Sequence, residues 1–193
     1  MLRFLTAGES HGPTLVGILE GMPAGLNLPE DAIDHDLRRR QGGHGRGGRQ
    51  RIERDHVDFL GGLAGDVTTG GPIAMRIENR DWERQRKREQ PVLTVPRPGH
   101  ADLAGAAKYR LDDMRVVLER ASARETAMRV AIGSVAKCLL REFGIVVAAR
   151  VLEIGGVVAD DADLSREDVR RRVEESAVYV ADAHVEAAMV AAI

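Results

Sequence analysis

The sequence predicts an α+β fold, in which strands and helices occur in separate clusters along the chain. Three observations support this prediction. Two pairs of short apolar runs are joined by glycine-containing turns, as in antiparallel hairpins. A long helical pattern follows in the second half of the chain. No GxGxxG motif follows a strand, so we do not expect the doubly wound sheet of the classical dinucleotide-binding fold.

The first predicted element is a hairpin whose turn carries polar side chains. Residues 3–7 and 14–20 are apolar runs of strand length, and GESHG at residues 8–12 joins them. The glycines of this turn leave room for a ligand, and the imidazole of His11 can donate or accept a proton near neutral pH. A histidine on a hairpin turn more often has no chemical role. Both interpretations stay open on this motif alone.

A helix and a second pair of strands come next. Pro29 suits the first turn of a helix in which Ile33 and Leu37 share one face, and which ends at a run of three arginines. Residues 56–63 and 72–78 have strand patterns and are connected by GDVTTGG. These segments predict a further hairpin or sheet.

Two irregular segments follow the strands. The charged residues 80–90 predict a solvated loop. Residues 91–102 contain three prolines before Gly99, which predicts extended backbone with a sharp turn at His100, beside Arg97 and Asp102.

The longest helical pattern runs from Ser122 to Phe143. Ser122 and Glu125 have the spacing of a capping box. Arg120 and Arg124 flank this helix start, whose free amides and positive dipole attract an anion, although a capping box alone is usually only structural. Apolar residues recur at helical spacing at Met128, Ile132, Val135 and Leu139.

The last part of the chain continues the mixed pattern. A strand-like run occupies residues 145–156, and a second capped helix is predicted from Ser165 to about Ser176, with Asp168 completing its cap. The tail to Ile193 is rich in alanine and valine and has no clear helix end.

Composition limits the class of protein. Hydrophobic residues make up 44% of the 193 residues, enough to bury the core of one moderate domain or two small ones. No stretch approaches the roughly 20 apolar residues of a membrane helix, and Arg3 and Glu9 do not fit a signal peptide. We therefore expect a cytoplasmic protein that does not engage a membrane. The single cysteine, Cys138, has apolar neighbours and is predicted to be buried without a chemical role.

Arginine supplies nearly all the positive charge, and it clusters. The chain has 25 arginines and three lysines, and seven of the arginines lie between Arg38 and Arg54. Within RRRQGGHGRGGRQR, glycines separate Arg40, Arg46 and Arg49. Guanidinium groups with glycine-loop amides suit phosphate and carboxylate groups. This segment therefore predicts binding of an anionic small molecule.

The same segment could instead be an RGG-like nucleic-acid tether or a solvated basic loop. Aromatic residues make up only 3% of the chain, so side chains that could stack on bases are scarce and we expect no nucleic-acid partner. A metal site is not expected either, because no two histidines have a ligand spacing.

Taken in order, several segments resemble one enzyme family. They are GESHGP, RRRQGGHGRGGRQ, TTGGPIAM, RPGHADL, KYR and VLERASARETAMRVAIGSVAK, spread over the chain up to about residue 158. This series is similar to the chorismate synthases. The resemblance implies a lyase of the shikimate pathway, which supplies aromatic amino-acid biosynthesis. The reaction is a 1,4-anti elimination of phosphate from 5-enolpyruvylshikimate 3-phosphate that requires reduced FMN.

The resemblance also implies roles for individual residues. His11 would protonate the departing phosphate, and His100 would manage the proton on reduced flavin. The anionic groups of the substrate would be bound by Ser10, Arg40, Arg46, Arg49, Arg97 and Arg124. FMN would contact Arg120, Ala121 and Ser122. In relatives that reduce their own flavin, NADPH is associated with Arg40 and Arg46.

The family fold is a sandwich of antiparallel sheets with helices between them, usually assembled as a homotetramer. Two features of this chain depart from the family pattern. Ala121 stands where members usually have a second hydroxyl, and members are about twice as long. We expect residues 1–193 to be the truncated N-terminal portion of one catalytic domain. The alternatives are a catalytically incomplete fragment that only binds the anionic substrate, and an arginine-glycine module for nucleic acid.

Overall fold

The computed structural model describes residues 1–45, 54–87 and 91–193. The strands are β1 (Arg3–Gly8), β2 (Thr14–Glu20), β3 (Ala24–Asn27), β4 (Asp58–Gly61), β5 (Leu63–Ala64), β6 (Val67–Thr69), β7 (Ile73–Glu78), β8 (Glu153–Ile154) and β9 (Val157–Val158). The helices are α1 (Glu30–Gln41), α2 (Trp82–Gln85), α3 (Asp102–Tyr109), α4 (Arg115–Ala121), α5 (Thr126–Glu142), α6 (Arg166–Glu175) and α7 (Glu186–Ala191).

The described strands form antiparallel sheets, which confirms the predicted α+β class. The main sheet has the order β1-β2-β7-β4, a second has the order β3-β6-β5, and β8 pairs with β9. β1 and β2 form the predicted hairpin, with Gly8 opposite Leu15, so that residues 9–13 make the turn. Gly8 has a φ of +91°, and a Cβ there would lie 2.2 Å from the carbonyl oxygen of Thr14, so only glycine fits.

The core lies between one face of the main sheet and the helices α1 and α5. Every second residue of β2 and β7 is buried on this face, as expected for strands with one covered side. A Cβ on Gly17 of β2 would lie 2.5 Å from Sδ of Met128, so helix α5 packs directly on the strand backbone. Ile33 and Leu37 of α1 are buried as predicted. Cys138 is also buried, and desolvation raises the pKa of its thiol.

Two predicted segments contain more structure than expected. Between β4 and β7, in place of a simple connection, β5 and β6 pair with each other and extend the second sheet through β3. The predicted loop at 80–90 contains the single helical turn α2, because the amide of Trp82 donates to the carbonyl of Asn79 and that of Arg84 donates to the carbonyl of Asp81.

The predicted helix from Ser122 is wrong at its start. Helix α4 occupies the residues before Ser122, which is itself extended and does not cap with its side chain. A 3-10 turn, Ala123–Glu125, then leads into α5. The Glu125 carboxylate accepts hydrogen bonds from Thr6 at 2.6 Å and from Arg129 at 2.9 Å. A bond to Thr6 of β1 and an ion pair with Arg129 of α5 have therefore replaced the capping box. The sequence did not predict α3 or α4.

The C-terminal part is partly as predicted. Of the strand-like run at 145–156, only Glu153–Ile154 forms a strand, pairing with β9, and residues 145–150 have no strand partner among the described residues. The cap of α6 is confirmed, because Ser165 Oγ accepts from the amide of Asp168 at 3.1 Å. In the described part of the chain, no helix is both long and apolar enough to cross a membrane.

Candidate active site

His11 lies on the β1–β2 turn and is held by Glu119 at the end of α4. The His11 amide donates to Glu119 Oε2 at 2.7 Å, and Nδ1 of the ring lies 3.0 and 3.1 Å from the two carboxylate oxygens. The amide of Ser10 donates to the Glu119 carbonyl at 3.1 Å. Glu119 is buried, whereas the His11 side chain is 31% exposed. A buried carboxylate therefore fixes a histidine that remains accessible.

Arg120, the next residue of α4, also binds the hairpin. Its guanidinium donates to the carbonyl oxygens of Gly8 at 2.5 Å and of Thr6 at 3.2 Å, and lies 3.6 Å from Glu125 Oε1. Burial opposes ionisation of the Glu125 carboxyl, but the hydrogen bonds that it accepts from Thr6 and Arg129 outweigh this effect. The pKa of Glu125 is therefore lowered. The C-terminal end of α4 therefore places charged side chains beside the turn between β1 and β2.

Arg124 and Arg40 meet on a buried carboxylate. Both guanidinium groups donate to Asp55, which is 6% exposed. Arg124 also donates to the side-chain oxygen of Asn79 at 2.7 Å and to the carbonyl of Glu78 at 3.1 Å. Arg40 donates to the carbonyl of Ala123 at 2.7 Å. Both arginines are therefore fixed around the 3-10 turn.

Asn79 connects this arginine pair to the histidine turn. Its side-chain nitrogen donates to the carbonyl of Gly12 at 2.7 Å and to that of Glu9 at 3.2 Å. The structure therefore brings together Ser10, His11, Arg40, Arg120, Ser122 and Arg124 around the hairpin turn and the α4–α5 junction. Arg46 and Arg49 lie outside the described residues.

His100 and Arg97 lie on a separate turn before α3. Gly99 has a φ of +71°, and His100 is exposed, as the predicted sharp turn requires. Arg97 binds both carboxylate oxygens of Asp102, at 2.8 and 2.9 Å, and these bonds lower the pKa of Asp102 to about 2. No hydrogen bond or ion pair found among the described residues joins this turn to His11. The predicted roles of His100 and Arg97 stay predictions.

Three residues of the cluster were not predicted from the sequence: Asp55, Asn79 and Glu119. Each is a buried polar side chain that contacts an arginine or the histidine turn. Two of them have a signal in the sequence. Glu119 directly precedes the candidate residue Arg120, and Asn79 is a polar residue directly after a predicted strand. Apart from Arg40, which is 15 residues from Asp55, the arginine and histidine partners of these residues are 45 to 108 residues away.

A second histidine cluster lies on the outside of α1. His56 Nδ1 is 2.7 Å from Asp34, and Nε2 is 2.8 Å from Glu30, so these groups are close enough to surround a metal ion. However, both ring nitrogens face carboxylate oxygens at hydrogen-bond distance. This geometry suits an imidazolium that donates twice, and an imidazolium has no lone pair for a metal. The cluster is therefore better described as a network of ion pairs.

Known proteins resemble the chain along nearly its whole length. A family model described as "Chorismate synthase" matches residues 2–193. The chorismate synthase of Desulforamulus reducens is 52% identical over 98% of the chain, and that of Geotalea daltonii is 49% identical over 98%. A solved structure, "Crystal Structure of Chorismate Synthase", matches 97% of the chain with a TM-score of 0.76 and 40% identity.

The match covers only part of those proteins. The chain covers 52% and 50% of the two relatives and 51% of the solved chain. It therefore spans about half the length of the relatives that it matches.

Proposed function

The chain belongs to the chorismate synthase family, and from this premise we propose that it carries part of a lyase active site. This site would eliminate phosphate from 5-enolpyruvylshikimate 3-phosphate to give chorismate. The observation that carries the proposal is the accessible imidazole of His11, fixed by Glu119 beside a group of arginines.

His11 is the proton donor in this proposal. Its Nδ1 is occupied by a carboxylate, so Nε2 is the ring atom that meets the departing phosphate oxygen. Protonation there converts the phosphate into a better leaving group. His100, on its exposed turn, would manage the proton on reduced flavin.

The arginines neutralise the charge that develops as the bond to phosphate breaks. Arg120 is the most exposed of the three fixed guanidinium groups, with 38% of its side chain accessible, compared with 13% for Arg40 and 6% for Arg124. Arg124 is already bonded to Asp55, Asn79 and the backbone. In this proposal Arg124 therefore acts on the substrate through the field of its charge, whereas the more exposed Arg120 contacts the bound FMN.

The residues proposed for FMN have a suitable donor set. Arg120 supplies a partly exposed cation, and the hydroxyl of Ser122 is not used to cap a helix, whereas Ala121 offers no side-chain polar atom. Bound reduced FMN would supply transient electron density to the substrate. NADPH would bind through Arg40 and Arg46, and the protein would assemble as a homotetramer in the cytoplasm.

The test is phosphate release from 5-enolpyruvylshikimate 3-phosphate with reduced FMN. His11→Asn should lower turnover by about 100-fold or more, the effect of losing acid catalysis. His184→Asn, at an exposed histidine of the C-terminal region, is the matched control and should keep full turnover. Full turnover by His11→Asn would remove His11 from the mechanism.

The second candidate is a chain that binds the anionic substrate without turning it over. The half-length match to the relatives favours it. Calorimetry on this chain separates the two: binding of both FMN and substrate supports the lyase site, whereas substrate binding without a flavin signal supports the second candidate.

A further inference from the structure

The Glu119 side chain makes more contacts to the histidine turn than anchoring alone requires. One oxygen accepts from the amide of His11, and both oxygens lie within hydrogen-bond distance of Nδ1 of the same residue. The bond to the amide anchors the turn. The further contacts act on the imidazole itself.

These contacts determine which ring nitrogen carries the hydrogen. An ionised carboxylate can only accept hydrogen bonds, so Nδ1 must donate to it and the neutral ring has its free lone pair on Nε2. None of the described residues has a hydrogen bond to Nε2. The hydrogen-bond network therefore assigns the Nδ1–H tautomer, with Nε2 available to gain and release a proton.

Glu119 also connects His11 to the end of α4, where Arg120 lies. It lies in the last turn of α4, directly before Arg120 and two residues before the end of that helix. Since Arg120 binds the carbonyls of Gly8 and Thr6 in β1, consecutive residues of α4 hold both the turn and the strand that leads into it. The distance between the imidazole and the α4–α5 junction is thereby fixed.

We propose that Glu119 is the positioning residue for His11: it holds the ring in the Nδ1–H form and orients Nε2 toward the reacting phosphate. This inference rests on the proposed role of His11 as proton donor. A glutamate that served only to hold the turn would leave the tautomer of His11 unspecified.

The direct test is nitrogen NMR of the chain labelled at histidine. The His11 signals are identified by their absence from the spectrum of His11→Asn. In the wild type, the shifts of the neutral ring should show hydrogen on Nδ1 and none on Nε2. A neutral ring with hydrogen mainly on Nε2 would overturn the proposal without any variant.

The variant Glu119→Gln keeps the size of the side chain but adds an amide that can donate. We expect its His11 ring to populate both tautomers, and kcat for phosphate release to fall about 10-fold with KM changed less than about 2-fold. Glu119→Asp, which restores a carboxylate, should recover part of kcat. Glu142→Gln, an exposed glutamate at the end of α5, is the matched control.

The two proposals fail in different ways. Loss of turnover in His11→Asn with an unchanged tautomer and kcat in Glu119→Gln would reject the role of Glu119 alone. Full turnover in His11→Asn would reject the proton donor, whatever tautomer the spectrum shows.

Discussion

Arg124 donates its Nε hydrogen to the side-chain oxygen of Asn79 across 2.7 Å, and both side chains are buried. The nitrogen of the same Asn79 amide donates to the carbonyls of Gly12 and Glu9 in the histidine turn. One amide group therefore connects an arginine that follows α4 to the turn between β1 and β2. The position of His11 depends on residues that are distant from it in sequence.

Replacing Asn79 should therefore destabilise the turn and the fold together. Asn79→Ala leaves a buried guanidinium hydrogen and two carbonyls without their partner, at a cost of about 1–3 kcal/mol in the free energy of unfolding. Urea denaturation measures this loss. Asn27→Ala, at an exposed strand position, is the control and should change stability by less than about 0.5 kcal/mol. Equal stability of the two variants would show that the amide bridge contributes nothing.

Two glycines should respond in opposite ways to the same substitution. Gly17→Ala places a methyl group 2.5 Å from Sδ of Met128 in the packed core, and overpacking of this kind costs about 1–3 kcal/mol. Gly133→Ala, in the middle of α5, places its methyl group in open space and should stabilise the helix by about 0.5–1 kcal/mol. Thermal denaturation of both variants checks the two signs. Destabilisation by Gly133→Ala would contradict the packing described for α5.

His56 should make stability depend on pH. Its pKa is raised above the ordinary value of 6.5, mainly by the hydrogen bond to Asp34 and further by the charges of Glu30 and Asp58. The stabilisation is therefore complete below pH 6.5 and is lost as the pH rises through the raised pKa. Since His56 is about half exposed, it should contribute no more than about 1 kcal/mol.

The measurement compares the wild type with His56→Asn by urea denaturation at about pH 6 and about pH 9. The wild type should be the more stable protein at the lower pH, and the difference should shrink at the higher pH. A difference that is the same at both values would mean that the imidazolium network does not act on stability. His35→Asn changes an exposed histidine of α1. It shows whether another histidine causes the same dependence of stability on pH.

The elements predicted well from the sequence are those fixed by local patterns. The β1–β2 hairpin follows from two alternating runs around a glycine turn, and α1 follows from Ile33 and Leu37 at helical spacing. The cap of α6 formed because Ser165 and Asp168 bond to each other within one helical turn. In each case the pattern that specifies the element lies within the element itself, although Ile33 and Leu37 are buried in the shared core.

The elements predicted poorly are those decided by distant partners. Glu125 binds Thr6, 119 residues away, and so does not cap the helix start. Glu119 reaches His11 across 108 residues of sequence, and no periodicity in the chain indicates that pairing. Sequence motifs therefore identified His11 and all three arginines of the described cluster, whereas the acids and the amide that hold them required the structure.

The two serines with the spacing of a helix cap provide the last prediction. Ser165 Oγ accepts from a backbone amide at the start of α6, so Ser165→Ala should lower the free energy of unfolding by about 1 kcal/mol. Ser122 makes no such bond, so Ser122→Ala should leave stability unchanged within about 0.5 kcal/mol. If Ser122 contacts FMN as proposed, its variant should instead weaken flavin affinity, measured by fluorescence titration, while Ser165→Ala binds normally. A Ser122→Ala protein that loses stability but keeps its flavin affinity would show that Ser122 has a structural role and does not contact FMN.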